Sequence, residues 1–275
     1  MMEAKYLRTL RILQNKLILK VFTLCVISFL VSSCSFLRNF PSSSSSRSTT
    51  VSYSKKSFSF VDQAGEFYLQ NESGLQKNEN RVVTRRQLLP ESRDASKPLE
   101  RSIVISNPGR LGDIRILRPY HSQYSVWFDG ERYFTEMVLD TERQGLKINM
   151  RSPEPEWQGS RFEKFPDGNG VYCFYSQVIE CAVATGFIDK AISVQDGRMA
   201  FHIIWEGYPY IQEQYPGIPK QVFTSATLDY DGLSNQGKHR FVLGFAGQSI
   251  FFHLDDDRTV DRIFWVAQGL SITPI

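Results

Sequence analysis

From residue 101 onward the sequence predicts an all-β fold, an antiparallel β-sandwich or partly closed barrel of roughly ten strands. Three observations predict it. Short runs of β-branched and aromatic residues recur between Gly, Pro, Asn and Asp. Asp-Gly pairs at 129–130, 167–168, 196–197 and 231–232 read as turns, at spacings too irregular for a propeller or solenoid. Helical 3.6-residue patterning is almost absent after residue 101.

The chain begins with Lys5, Arg8, Arg11, Lys16 and Lys20, passes through the apolar run Val21 to Val31, and reaches the small residues Ser32 and Ser33. A cationic start, a short apolar centre and a small-residue end make residues 1–33 a secretory signal peptide. Thirteen residues lie between Lys20 and Cys34. At about 1.5 Å each they give roughly 20 Å of helix, short of the ~30 Å hydrocarbon core, which disfavours a spanning helix. The tetrad Val31-Ser32-Ser33-Cys34 resembles the lipobox of bacterial lipoproteins. That resemblance covers residues 1–34 only. It implies a diacylglyceryl group on the Cys34 sulfur, cleavage before Cys34 and acylation (palmitate) of the new amino terminus. The implied partner is a membrane, reached through the lipid anchor. Cys25 follows Phe22, Thr23 and Leu24, where bulky residues occupy positions that need small ones. Ser35, where an aspartate would resemble an inner-membrane retention signal, implies the cell outer membrane in a Gram-negative host.

Residues 34–60 read as a Ser-rich tether, with five consecutive serines at 42–46. Residues 61–100 read as a polar transition segment of irregular structure. Phe58, Phe60 and Phe67 to Leu69 could dock a short element there, whereas Asn71 to Asn80 lacks periodicity. The folded domain is expected at 101–275, long enough for one proper core. Within it, Asp129-Gly130 between Tyr124–Phe128 and Arg132–Val138 signals a type I′ hairpin. Val222, Thr224, Ala226 and Leu228 share one face of a strand. Phe241, Leu243 and Phe245 alternate with Val242 and Gly244, and Ile250, Phe252 and Leu254 follow.

The whole chain carries 32 Lys and Arg against 29 Asp and Glu, a net charge of +3. Cleavage before Cys34 leaves 27 against 28, a net −1. No electrostatic footprint for nucleic acid remains.

Catalytic patterns are missing. Gly247-Gln248-Ser249-Ile250-Phe251 lacks the second glycine of a nucleophile elbow. His121, His202, His239 and His253 are isolated, and no metal or cofactor motif is present. Asp167-Gly168-Asn169-Gly170 resembles the middle of a calcium loop, but Phe165 and Ser176 fall where carboxylates are needed. Asp255-Asp256-Asp257 reads as a solvated turn. Cys173 and Cys181 can pair if the chain reverses near Ser176-Gln177, and stay free if Val178-Ile179 continue a strand. Trp205, Tyr208, Tyr210 and Tyr215 lie among Pro and Gly, and Trp157 follows Pro153-Glu154-Pro155-Glu156. These five rings are candidates for display on loops, as contacts for an envelope protein or a glycan. The function class this favours is a lipid-anchored envelope lipoprotein with a non-enzymatic binding or structural role. The alternatives are an envelope hydrolase acting on glycans through Glu154 and Glu156, and a carrier of lipid or apolar cargo.

Overall fold

The structure, a computed structural model, describes residues 51, 53–62, 65–76 and 80–275. The expected signal peptide, Cys34 and the expected tether up to residue 50 lie outside the described residues.

Fifteen strands form one sheet that does not close. In chain order they are β1 (Ser54–Asp62), β2 (Gly65–Gln76), β3 (Arg81–Leu89), β4 (Glu100–Leu111), β5 (Ile114–Phe128), β6 (Glu131–Asp140), β7 (Gly145–Arg151), β8 (Gly159–Lys164), β9 (Tyr172–Phe174), β10 (Arg198–Ile204), β11 (Phe223–Leu233), β12 (His239–Phe245), β13 (Gln248–Leu254), β14 (Val260–Trp265) and β15 (Leu270–Pro274). Across the sheet the order runs from β8 back to β1, then from β15 back to β9. Every neighbouring pair is antiparallel except β9 with β10. That parallel pair needs a crossover, supplied by α1 (Val178–Ala184) and α2 (Phe187–Val194).

The all-β prediction holds, with more strands than the turn spacing suggested. The Asp129-Gly130 hairpin forms as expected, with φ of 52° and 84°, the two positive values a type I′ turn requires. Val222, Thr224, Ala226 and Leu228 all face inward, as do Phe241, Leu243 and Phe245. Asp231-Gly232 is a correction, because it sits in a bulge within β11 instead of ending a strand.

Two larger corrections concern boundaries. The segment expected to be irregular holds β1, β2 and β3 in the middle of the sheet, so the folded unit starts near residue 49 and not at 101. The tether is correspondingly shorter, since β1 begins at Ser54. These strands look polar because their inward positions carry Ser73, Thr84 and Arg86. Ser73 and Thr84 bond each other at 2.8 Å. Helices were also missed. Val178-Ile179 begin α1, and Ala182, Ile188 and Ala191 of the helical pair are buried between the two halves of the sheet. β-branched residues there fill a core that outweighs their weak helix propensity.

The main core joins Val82, Tyr124 and Val126 of one half to Ile203, Leu228, Phe241 and Leu243 of the other, through the helices. A second cluster sets Tyr172 and Phe174 of β9 against Val104, Met137 and Ile148. The free edge of the second half thus rests on the inner face of the first.

Candidate functional site

The polar groups most deeply placed in the domain gather where the helical insert meets the inner face of β3, β4 and β5. Arg86, Ser102 and Tyr124 form one cross-strand row on that face. Glu100 lies one inward position along β4 from Ser102 and is buried. Opposite them, the loop after β10 brings in Glu206, which is 1% exposed.

Glu206 accepts hydrogen bonds from the backbone N–H groups of Tyr175 (3.0 Å) and Ser176 (3.1 Å) and from the Ser102 hydroxyl (3.3 Å). The Ser176 hydroxyl donates to it as well. Its carboxylate therefore fixes the 3-10 turn Tyr175–Gln177 that leads into α1. Gln177 completes the clamp, accepting from Ser106 (2.7 Å) and donating to the carbonyls of Val82 (3.1 Å) and Val104 (3.4 Å). Burial pushes the Glu206 carboxyl up, against the lowering effect of Ser176 and Arg86. Burial likewise raises Glu180, which bonds Ser73.

Arg86 holds the centre. Its Nε lies 4.0 Å from Glu100 and its guanidinium 5.6 Å from the Tyr175 ring centroid. Burial alone would lower its pKa, but Glu100, Tyr175 and Tyr215 together hold it above the ordinary arginine value. Tyr215 donates to Glu100 at 3.0 Å, and Tyr124 donates to Gln214 at 2.9 Å. Burial pushes both phenols well up. Each carboxylate is engaged by structural donors, so the cluster works as a brace between sheet and insert.

The five candidate aromatic residues belong to this packing, which corrects the expectation of display. Trp205 and Tyr210 are fully buried, and Trp157, Tyr208 and Tyr215 are half-buried against the same core. Their polar tips find partners inside the protein. Trp205 donates to Thr224 (2.9 Å), Tyr210 to the Trp157 carbonyl (2.7 Å), and Tyr215 stacks on Trp265 at 5.3 Å. Tyr208 lies under the Arg161 guanidinium at 4.2 Å. Gly207 is required here, because a Cβ would come within 2.8 Å of the Tyr124 ring. The short helix α3 (Tyr210–Gln214) follows and seals this end of the core.

Glu154 and Glu156 do not converge on a cleft. Glu154 accepts from Tyr133 at 2.5 Å, a bond that with burial pushes the Tyr133 phenol up to about 12, while Glu156 is exposed. Cys173 and Cys181 are bonded to each other, with Cα atoms 6.2 Å apart. The chain reverses through the 3-10 turn between them, the first of the two outcomes left open by the sequence. His202 stacks on Tyr172, and Asp255 pairs with Lys56 and Lys238. Among the described residues no group of three or more His, Cys, Asp or Glu is placed to hold a metal.

Sequence reasoning missed Arg86, Glu100 and Glu206. In the sequence Arg86 sits in the cluster Arg81, Arg85 and Arg86, balanced by Glu79, Glu91 and Asp94, which reads as a solvated segment; its place on the inward face of β3, beside Thr84, corrects that reading.

No family model and no curated protein matches the chain. Among solved structures it is similar to a beta-barrel-like protein of domain of unknown function DUF1849 from Brucella abortus. The two are 7% identical with a TM-score of 0.44, over 82% of this chain and 97% of that one.

Proposed function

We propose that this chain is a lipid-anchored protein of the cell envelope whose β domain has a binding or structural role and no catalytic one. The observation that carries the second half is the filled interior. The helical pair and the segment from Trp205 to Val222 pack into the core that joins the two halves of the sheet, with Ala182, Ile188, Trp205 and Tyr210 essentially inaccessible. A carrier of apolar cargo needs that space open. The buried acids are tied to structural donors, and Glu154 is tied to Tyr133, which leaves no opposed carboxylate pair for glycan cleavage among the described residues.

The anchor rests on the Cys34 tetrad. Metabolic labelling with a fatty-acid analogue is expected to tag the wild-type protein and the Cys25→Ala variant, and to leave Cys34→Ala unlabelled. Label surviving in Cys34→Ala would remove the anchor from this reading. The expected outcome for the domain is that in-cell crosslinking captures an envelope component while Glu154→Gln and Glu156→Gln leave every glycan-cleaving screen unchanged.

A further inference from the structure

The β4–β5 hairpin reaches beyond both of its neighbours. Pairing of β3 with β4 ends at Val82 opposite Ser106, and pairing of β5 with β6 ends at His121 opposite Val138. A register shift follows at Ile105/Ser106, and the hairpin then continues alone from Asn107 opposite Arg118 to Leu111 opposite Ile114. Residues 107–118 are therefore a two-stranded ribbon with no third strand. Such a ribbon is marginal by itself. This one is held at its base by Ile116 and Leu117, which are buried and line a groove on either side.

The tip carries a different chemistry. Arg110, Arg115 and Arg118 are exposed, and so is Ile114 at the apex, 53% accessible beside Leu111. Asp113 is the one acid in the ribbon. Arg118 is held across Gly109 and donates to the Arg110 carbonyl at 2.7 Å, which fixes its side chain along the ribbon. At the adjoining β6–β7 turn, Asp140 is already engaged by Lys147 at 3.1 Å. Guanidinium groups flanking an exposed apolar apex match the boundary between anionic headgroups and acyl chains. With the mature chain at net −1, this positive character is local and not a property of the whole surface.

A second observation points to the same occupant. Val51 lines the groove of about 420 Å³ beside the ribbon, together with Arg110, Arg115, Ile116 and Leu117. Sixteen residues separate Cys34 from Val51, a span of at most about 60 Å even when fully extended. Val51, which precedes the strands and follows Cys34 in sequence, thus lies beside the basic tip.

We infer that the β4–β5 ribbon is a membrane-contact element that takes anionic phospholipid headgroups, seating the domain on the bilayer that holds its anchor. The identity of that bilayer rests on the lipid-anchor reading above, whereas the surface itself does not. The test uses the mature chain from residue 34 carrying Cys34→Ser, which has neither the cationic, apolar segment 1–33 nor an acylation site, so failure of the anchor and failure of the ribbon read out separately. Vesicles of phosphatidylcholine with and without phosphatidylglycerol are the probe, with co-sedimentation and amide hydrogen exchange over 107–118 as readouts. Protection of the ribbon is expected only with the anionic vesicles, and is expected to fade at high salt. Combining Arg110→Gln, Arg115→Gln and Arg118→Gln should weaken sedimentation by about fivefold per arginine, roughly a hundredfold together. Ile114→Asp, which keeps the arginines, should also weaken it. Two results would overturn the inference: unchanged sedimentation of the triple variant, or vesicle-independent exchange at 107–118. Loss of an acidic envelope protein from crosslinks of the triple variant, with vesicle binding intact, would reassign the surface to that partner. Thermal melts of both variants should match the parent, because the altered side chains are exposed.

Discussion

Glu206 shows how a buried acid can serve the packing of a domain. It accepts two backbone N–H groups and two hydroxyls that would otherwise face the core unsatisfied. Glu206→Ala strands all four and is expected to cost about 3 kcal/mol or more, measured by urea denaturation. Glu206→Gln keeps an acceptor and removes the charge, so its loss should be smaller. The two also differ in pH dependence. Burial raises the Glu206 carboxyl above its ordinary 4.5, so between the unfolded and folded values the folded state binds more proton than the unfolded one. Its contribution is full below about pH 4.5 and falls as pH rises through the folded value. Wild type minus Glu206→Gln should show that decline. The imidazole of His253, lowered by burial and by Arg262 and Arg240, acts oppositely: its contribution is lost below about pH 6.5. That term is common to both proteins and cancels in the difference. At this scale the sequence was least legible. Trp205 and Tyr210 lie among prolines and glycines that suggest a displayed loop, and nothing local reveals that Thr224 and the Trp157 carbonyl wait for their polar tips.

At the scale of elements, the disulfide joins β9 to α1, and so fixes the free edge of the sheet to the insert that fills it. Cys173→Ser with Cys181→Ser frees an eight-residue separation, for which loop-closure entropy gives roughly 2–3 kcal/mol. In a domain of this size that is a fall in Tm of roughly 5–10 °C by calorimetry. An unchanged Tm would mean that the Glu206 and Gln177 clamp alone holds the turn. Strands with apolar alternation, such as β12 and β13, were readable because one face meets the core and the other meets water. Strands β2 and β3 were not, since the face they turn inward carries Ser73, Thr84 and Arg86, meets Gln177 and Glu180, and is correspondingly polar. The helices α1 and α2 are short and packed on several sides, so no one-sided stripe marks them.

For the whole molecule, β1 to β3 decide where a stable fragment can begin. A chain starting at Arg101 lacks the strands that connect β4 to β15, and leaves both as bare edges. It is expected to aggregate or remain unfolded by circular dichroism, whereas one starting at Thr49 should give a cooperative β-type melt. The order of strands has one more consequence. Phe58 of β1 pairs with Pro274 of β15, and Ile275 donates to the Ser57 carbonyl at 3.1 Å, so hydrogen bonding is continuous where the chain is broken. Between β8 and β9 the chain is continuous and the hydrogen bonding is broken. The strands thus form a ring opened at two different places. Joining residue 275 to residue 54 through a short linker, and placing new termini between Phe165 and Val171, would move one opening onto the other. In that circular permutant each strand follows its spatial neighbour in sequence, and the distant pairing of β1 with β15 becomes a local hairpin. Lower contact order should make it refold faster than the natural order in stopped-flow measurements, at comparable stability.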